Sequence, residues 1–225
     1  MKSVQPLLGV WKIDESADEL LALLTRRDCR SIPADMQAER RRREWLAVRV
    51  LLKELTGGEE TPIAYHTDGA PYLPEKKLHI SISHTNGYAA VILSEQGPVG
   101  IDIEYISERI HRVRRRFMHP DEDAMIDRKH ETEHLIICWC AKETLFKLIR
   151  REETDFREHL RLSPFGYGES GSITATETCT PERATYSLFY IVNKYFAMTC
   201  SLDMTVVGRP SLLNSAITVL LSLMR

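Results

Sequence analysis

Two long stretches of helical periodicity, each with its own set of strand-like segments, constrain this chain most. In residues 34–56, Trp45, Leu46, Val48, Val50, Leu51, Leu52 and Leu55 recur at helical spacing, and Gly57-Gly58 ends the run. Residues 131–149 repeat the pattern with Leu135, Ile136, Trp139, Phe146 and Ile149. The first stretch is accompanied by strand-like segments at 8–14, 79–83 and 88–94, and the second by segments at 99–104, 173–175 and 186–202. A short basic helix is predicted at 109–117, ending near Pro120, and 163–171 reads as loop. Gln96-Gly97-Pro98 is a break in chain character. The pattern predicts an α+β chain of two lobes, 1–97 and 98–225, each a small sheet packed on a long helix.

With 225 residues the chain can bury a core without staples. Its formal net charge of -2 supplies no global field for nucleic acid, so a charged partner must be met by a local patch. The five cysteines are odd in number and form no CxxC pair, which argues against a zinc site or a disulfide framework. The opening residues lack the apolar run of a signal peptide, and the apolar segment 211–224 falls short of the roughly 20 residues needed to cross a bilayer. A reduced, cytoplasmic location without a membrane span is the expectation, and the simpler reading of 211–224 is a helix packed on the body.

The chemistry concentrates in two segments. In Val99-Gly100-Ile101-Asp102-Ile103-Glu104 the two carboxylates are two residues apart, so a strand turns both to one face and turns Ile101 and Ile103 towards the core. Two acids on one face suit a hard divalent cation, although an ordinary solvent-facing edge gives the same pattern. In Trp139-Cys-Ala-Lys-Glu-Thr-Leu-Phe-Lys147, Glu143 and Lys147 lie one helical turn apart. Glu143 would add a third carboxylate, and Lys147 would neutralise charge on a leaving phosphate; a plain helix ion pair is the alternative. Ser83 and His84, at the end of a strand before Gly87, together with Arg40 and Arg49, are candidate phosphate donors. For most of the four arginines 40–43 a solvated helix face is the simpler reading. Arg109, Arg112, Arg114, Arg115 and Arg116 form a second basic cluster, suited to docking an acidic protein or to plain solvation.

Three blocks in this order, Ser81-Ile-Ser-His84 with Gly87, Gly100-Ile-Asp-Ile-Glu104, and Trp139 to Lys147, resemble the 4′-phosphopantetheinyl transferase superfamily, specifically its longer Sfp-type members. The resemblance implies a pseudo-dimer of two similar α+β lobes with the active site between them. It implies transfer of the 4′-phosphopantetheine arm of coenzyme A to a serine of an acyl or peptidyl carrier protein, releasing adenosine 3′,5′-bisphosphate. It assigns Asp102, Glu104 and Glu143 to Mg²⁺, with Mn²⁺ also accepted by such ligands. It makes Glu143 the base for the serine hydroxyl and Lys147 the stabiliser of the leaving group. Coenzyme A would meet Arg40, Arg49, Ser83, His84, Asp102 and Lys147, and Glu122 falls near a family acidic position. The family's Gly-Lys-Pro is Gly69-Ala70-Pro71 here, which removes a phosphate-binding cation. Two lobes in one chain make a monomer sufficient. A metal-dependent phosphohydrolase, or a non-catalytic protein binding coenzyme A or an acidic partner, remain the alternatives.

Overall fold

The computed structural model describes residues 6–201. The apolar segment 211–224 lies outside them. Two compact units divide at Pro98 and Val99, and both pack antiparallel strands on one long helix, an α+β architecture.

The first unit contains β1 (Leu7–Lys12), α1 (Ala17–Ala22), α2 (Arg27–Arg30), α3 (Glu39–Leu55), the two-residue strands β2 (Ala64–Tyr65) and β3 (Pro71–Tyr72), β4 (His79–Thr85) and β5 (Tyr88–Ser94). Its main sheet has the order β1-β5-β4, and β2 and β3 form a separate hairpin. Asn86-Gly87 joins β4 to β5 in a two-residue turn, with Thr85 opposite Tyr88 and Gly87 at φ 79. That positive φ suits glycine, and Asn-Gly is the common sequence for such a turn. Ile80 and Ile82 of β4 and Ala89, Val91 and Leu93 of β5 pack with Leu46, Val50 and Leu51 of α3 in one core.

The long helix here starts at Glu39, not at residue 34 as the periodicity suggests. Residues 33–37 instead form turns, with Met36 N donating to Pro33 O and the Gln37 side chain to Ala34 O. Ala38 is extended and precedes the first helical turn.

The second unit contains β6 (Ile101–Tyr105), α4 (Ile110–Phe117), α5 (Pro120–Asp123), α6 (Glu131–Ile149), β7 (Leu160–Leu162), β8 (Ser170–Glu177), β9 (Thr185–Val192) and β10 (Phe196–Ser201). The sheet order is β6-β10-β9-β8-β7, antiparallel throughout. The single strand expected over 186–202 is two strands, because Asn193 Oδ1 accepts from the backbone N–H groups of Tyr195 and Phe196 and folds the chain back. Leu188, Tyr190, Val192 and Ala197 pack with Leu135, Ile136 and Leu145 of α6.

Ile101 and Ile103 are fully buried but fall outside this core, on the face of β6 away from α6. The face towards α6 belongs to Gly100, Asp102 and Glu104. A Cβ at Gly100 would lie 2.6 Å from the Thr144 carbonyl oxygen, so only glycine lets strand and helix backbones come this close. Across β10, Thr199 opposes Asp102, and its hydroxyl meets that of Thr144 at 2.5 Å.

Candidate active site

In the second unit, β6 and α6 bring the acidic motif and the lysine motif together. Trp139, Glu143 and Lys147 follow one another at i, i+4 and i+8 along one face of α6. Lys147 Nζ donates to Asp102 Oδ1 at 2.8 Å and to Ile101 O at 2.8 Å. Trp139 Nε1 donates to Glu104 Oε1 at 3.3 Å. The Trp139 ring is held edge-on to Phe117 and stacked on Phe156. Glu143 lies between these two contacts on the helix. Burial pushes its carboxyl up to about 7, and the charges of Asp102 and Glu104 add to that rise while Lys147 opposes it. Glu143 therefore feels both strand carboxylates, and a carboxyl poised there can take up a proton near neutral pH.

Among the described residues, no group of three or more acids, histidines or cysteines is gathered closely enough to hold a metal ion. The donor chemistry nevertheless fits a hard cation. Asp102, Glu104 and Glu143 offer oxygen ligands only, and their mutual repulsion is what a divalent ion would relieve.

The other motif acid and the motif lysine have a different place. Glu122 and Lys142 are both deeply buried and pair at 2.7 Å. Lys142 Nζ also donates to Phe117 O at 2.6 Å and Phe156 O at 3.1 Å. Glu122 accepts from the backbone N–H groups of His119 and Leu162. Glu122 is thus a fixed joint between α5, α6 and β7, and it does not contribute to the acidic face of β6. Lys142 carries no assigned role in the sequence pattern. Its signal was a lysine in the buried row with Leu135, Cys138 and Leu145.

The first unit holds the remaining candidates in two separate settings. Glu44 of α3, with its side chain 5% exposed, meets Arg40 Nη1 at 3.3 Å and His84 Nδ1 at 3.3 Å. Ser83 is the neighbour of His84 on β4, so a strand turns it to the opposite face, where it is buried. The two side chains therefore do not present to one ligand from one face. Arg49 is only 7% exposed. Its guanidinium lies 3.2 Å from the Trp45 ring centroid, and Nη1 donates to Trp45 O. Burial pulls its pKa down to about 10. One of its donors is thus engaged inside the fold.

Ala70 sits at the turn of the β2–β3 hairpin, its N–H donating to Asp68 Oδ1. The basic helix α4 has one neutralised arginine, Arg114, which donates to Asp123 and Glu131. Arg109, Arg112, Arg115 and Arg116 are exposed. All five cysteines are free, and among the described residues no helix is long and apolar enough to cross a membrane.

Comparison with known proteins agrees with this distribution of motifs. The model of the 4′-phosphopantetheinyl transferase superfamily matches residues 98–199, and that of the 4′-phosphopantetheinyl transferase N-terminal domain matches residues 34–94. The chain belongs to the 4′-phosphopantetheinyl transferase superfamily. Having the N-terminal domain as well, it fits the longer, Sfp-type members. It is 34% identical over 113 residues to the 4′-phosphopantetheinyl transferase AcpT of Escherichia coli, a match covering 48% of this chain and 57% of that protein. It is 32% identical over 83 residues to a 4′-phosphopantetheinyl transferase of Bacillus subtilis, covering 35% of this chain and 37% of that one. The matched region thus spans little more than half of the first relative and less of the second.

Proposed function

We propose that this protein transfers the 4′-phosphopantetheine arm of coenzyme A to a serine of an acyl or peptidyl carrier protein. The observation that carries this reading is the placement of Glu143, between Trp139 and Lys147 on α6, in the field of Asp102 and Glu104. The serine Oγ attacks the pyrophosphate phosphorus nearest the pantetheine arm. A new O–P bond forms there, the bond to the other phosphate breaks, and adenosine 3′,5′-bisphosphate leaves. Glu143 accepts the serine proton, directly or through a water. Lys147 offsets the charge that grows on the departing phosphate.

Asp102, Glu104 and Glu143 would hold Mg²⁺, or Mn²⁺, which supplies neutralisation of the pyrophosphate when bound. In the first unit, Arg40 and His84 are the residues suited to a coenzyme A phosphate, and they take over from the lysine that Ala70 replaces. Ser83, buried on β4, and Arg49, packed on Trp45, complete the proposed coenzyme A-binding set of this unit. The exposed arginines of α4 suit an acidic carrier protein, since charge complementarity raises encounter rates.

The test is incubation of the purified protein with coenzyme A, Mg²⁺ and several apo carrier proteins. The carrier should gain the mass of one phosphopantetheine arm, and chelation of the metal should abolish the gain. Phosphate or nucleotide release without carrier would point instead to a phosphohydrolase. No mass gain with any carrier would sink the transferase reading.

A further inference from the structure

Within the first unit, β4 alternates strictly. Ile80 and Ile82 turn to α3 and enter the core, and His84 continues the same face one step beyond it. On α3, Arg40 and Glu44 are one helical turn apart, and Glu44 lies near the row of Val48 and Leu51. A glutamate in that row is out of place by hydropathy. Its carboxylate is almost wholly buried, yet the two side chains it touches are open, Arg40 at 65% and His84 at 50%. Burying a carboxylate is costly unless its partners hold it. Here the partners are the two side chains of this unit best suited to a phosphate.

We infer that Glu44 is a positioning residue for the phosphate-binding side chains. One carboxylate oxygen faces Arg40 and the other faces the Nδ1 edge of His84. The imidazole is thereby turned with its Nε2 edge outward, and the guanidinium is held beside it. Glu44 makes no contact with ligand in this scheme. It fixes the separation and direction of two donors before coenzyme A arrives, so less side-chain freedom is lost on binding.

The inference rests on the transferase reading, and its test separates the two. Glu44→Gln keeps the shape and removes the charge. The expected result is a KM for coenzyme A raised about tenfold, the loss of one modest charge-assisted contact, with kcat within about twofold. In a His84→Ala background the same substitution should raise KM far less than in the wild type, because its effect runs through that ring. Equal, additive effects in both backgrounds would overturn the inference, as would a kcat loss at unchanged KM.

Should Glu44→Gln not fold, nitrogen NMR of the histidine-labelled wild type gives the answer. Coenzyme A should perturb His84 Nε2 more than Nδ1, and the reverse order would refute the scheme. Calorimetry with coenzyme A tells the two failures apart. A wild type that binds none loses both readings. A wild type that binds and transfers, with a silent Glu44→Gln, loses only this one.

Discussion

Helix α6 carries two lysine–carboxylate pairs five residues apart, and they are built for opposite purposes. Lys142 and Glu122 have side chains 0% and 2% exposed, with backbone carbonyls and N–H groups completing their hydrogen bonds. Lys147 is 27% exposed and Asp102 7%, so water and small ligands reach the lysine. A buried pair with every bond made is a joint, and losing one partner strands a charge. A pair open on one side can trade partners, and a phosphate or cation can enter the exchange. The motif spells both lysines within six letters, yet only their surroundings tell them apart.

The largest expected effect comes from breaking the closed pair. Lys142→Met should cost about 3–5 kcal/mol of stability by leaving Glu122 unpaired. Urea or thermal unfolding measures it. Lys142→Met combined with Glu122→Gln should recover much of that loss, and a double variant as unstable as the single would refute the joint.

Glu143, between the two lysines, sharpens the contrast through pH. Its carboxyl is raised from 4.5 to about 7, so between those values the folded protein holds a proton that the unfolded chain releases. Wild-type stability should therefore fall as pH rises from about 4.5 to 7 relative to Glu143→Gln, measured without added metal. Parallel stability curves for the two proteins would contradict the buried, acid-flanked setting. In the carrier assay, Glu143→Gln should lose at least about a hundredfold in rate.

The open pair should respond least in stability. Lys147→Met is expected to cost less than Lys142→Met, because the lysine end of this pair already reaches water. Its transfer rate should nonetheless drop, read in the same assay. A stability loss equal to that of Lys142→Met would erase the distinction between the two pairs.

How far the sequence could be read follows the same division. Helical periodicity placed α6 at its true ends, since Leu135, Ile136 and Phe146 all pack inward. The period-two rule put Asp102 and Glu104 on one face, and i, i+4 spacing put Glu143 beside Lys147. What stayed hidden depends on contacts distant in sequence. Nothing local says that Glu122 meets Lys142 twenty residues on, or that Arg49 turns back onto Trp45. Short elements such as β2, β3 and β7 have too few residues for a period to emerge. Strand parity already separates the faces of Ser83 and His84 on β4.

The bare Cα at residue 100 also bears on how this centre could be altered. Thr144 sits one place after Glu143, so anything that wedges the two backbones apart there lifts the row of Trp139, Glu143 and Lys147 off the strand as a rigid body. Even a methyl group would act as a shim, detuning the spacing between the acids while leaving every one of them in the sequence.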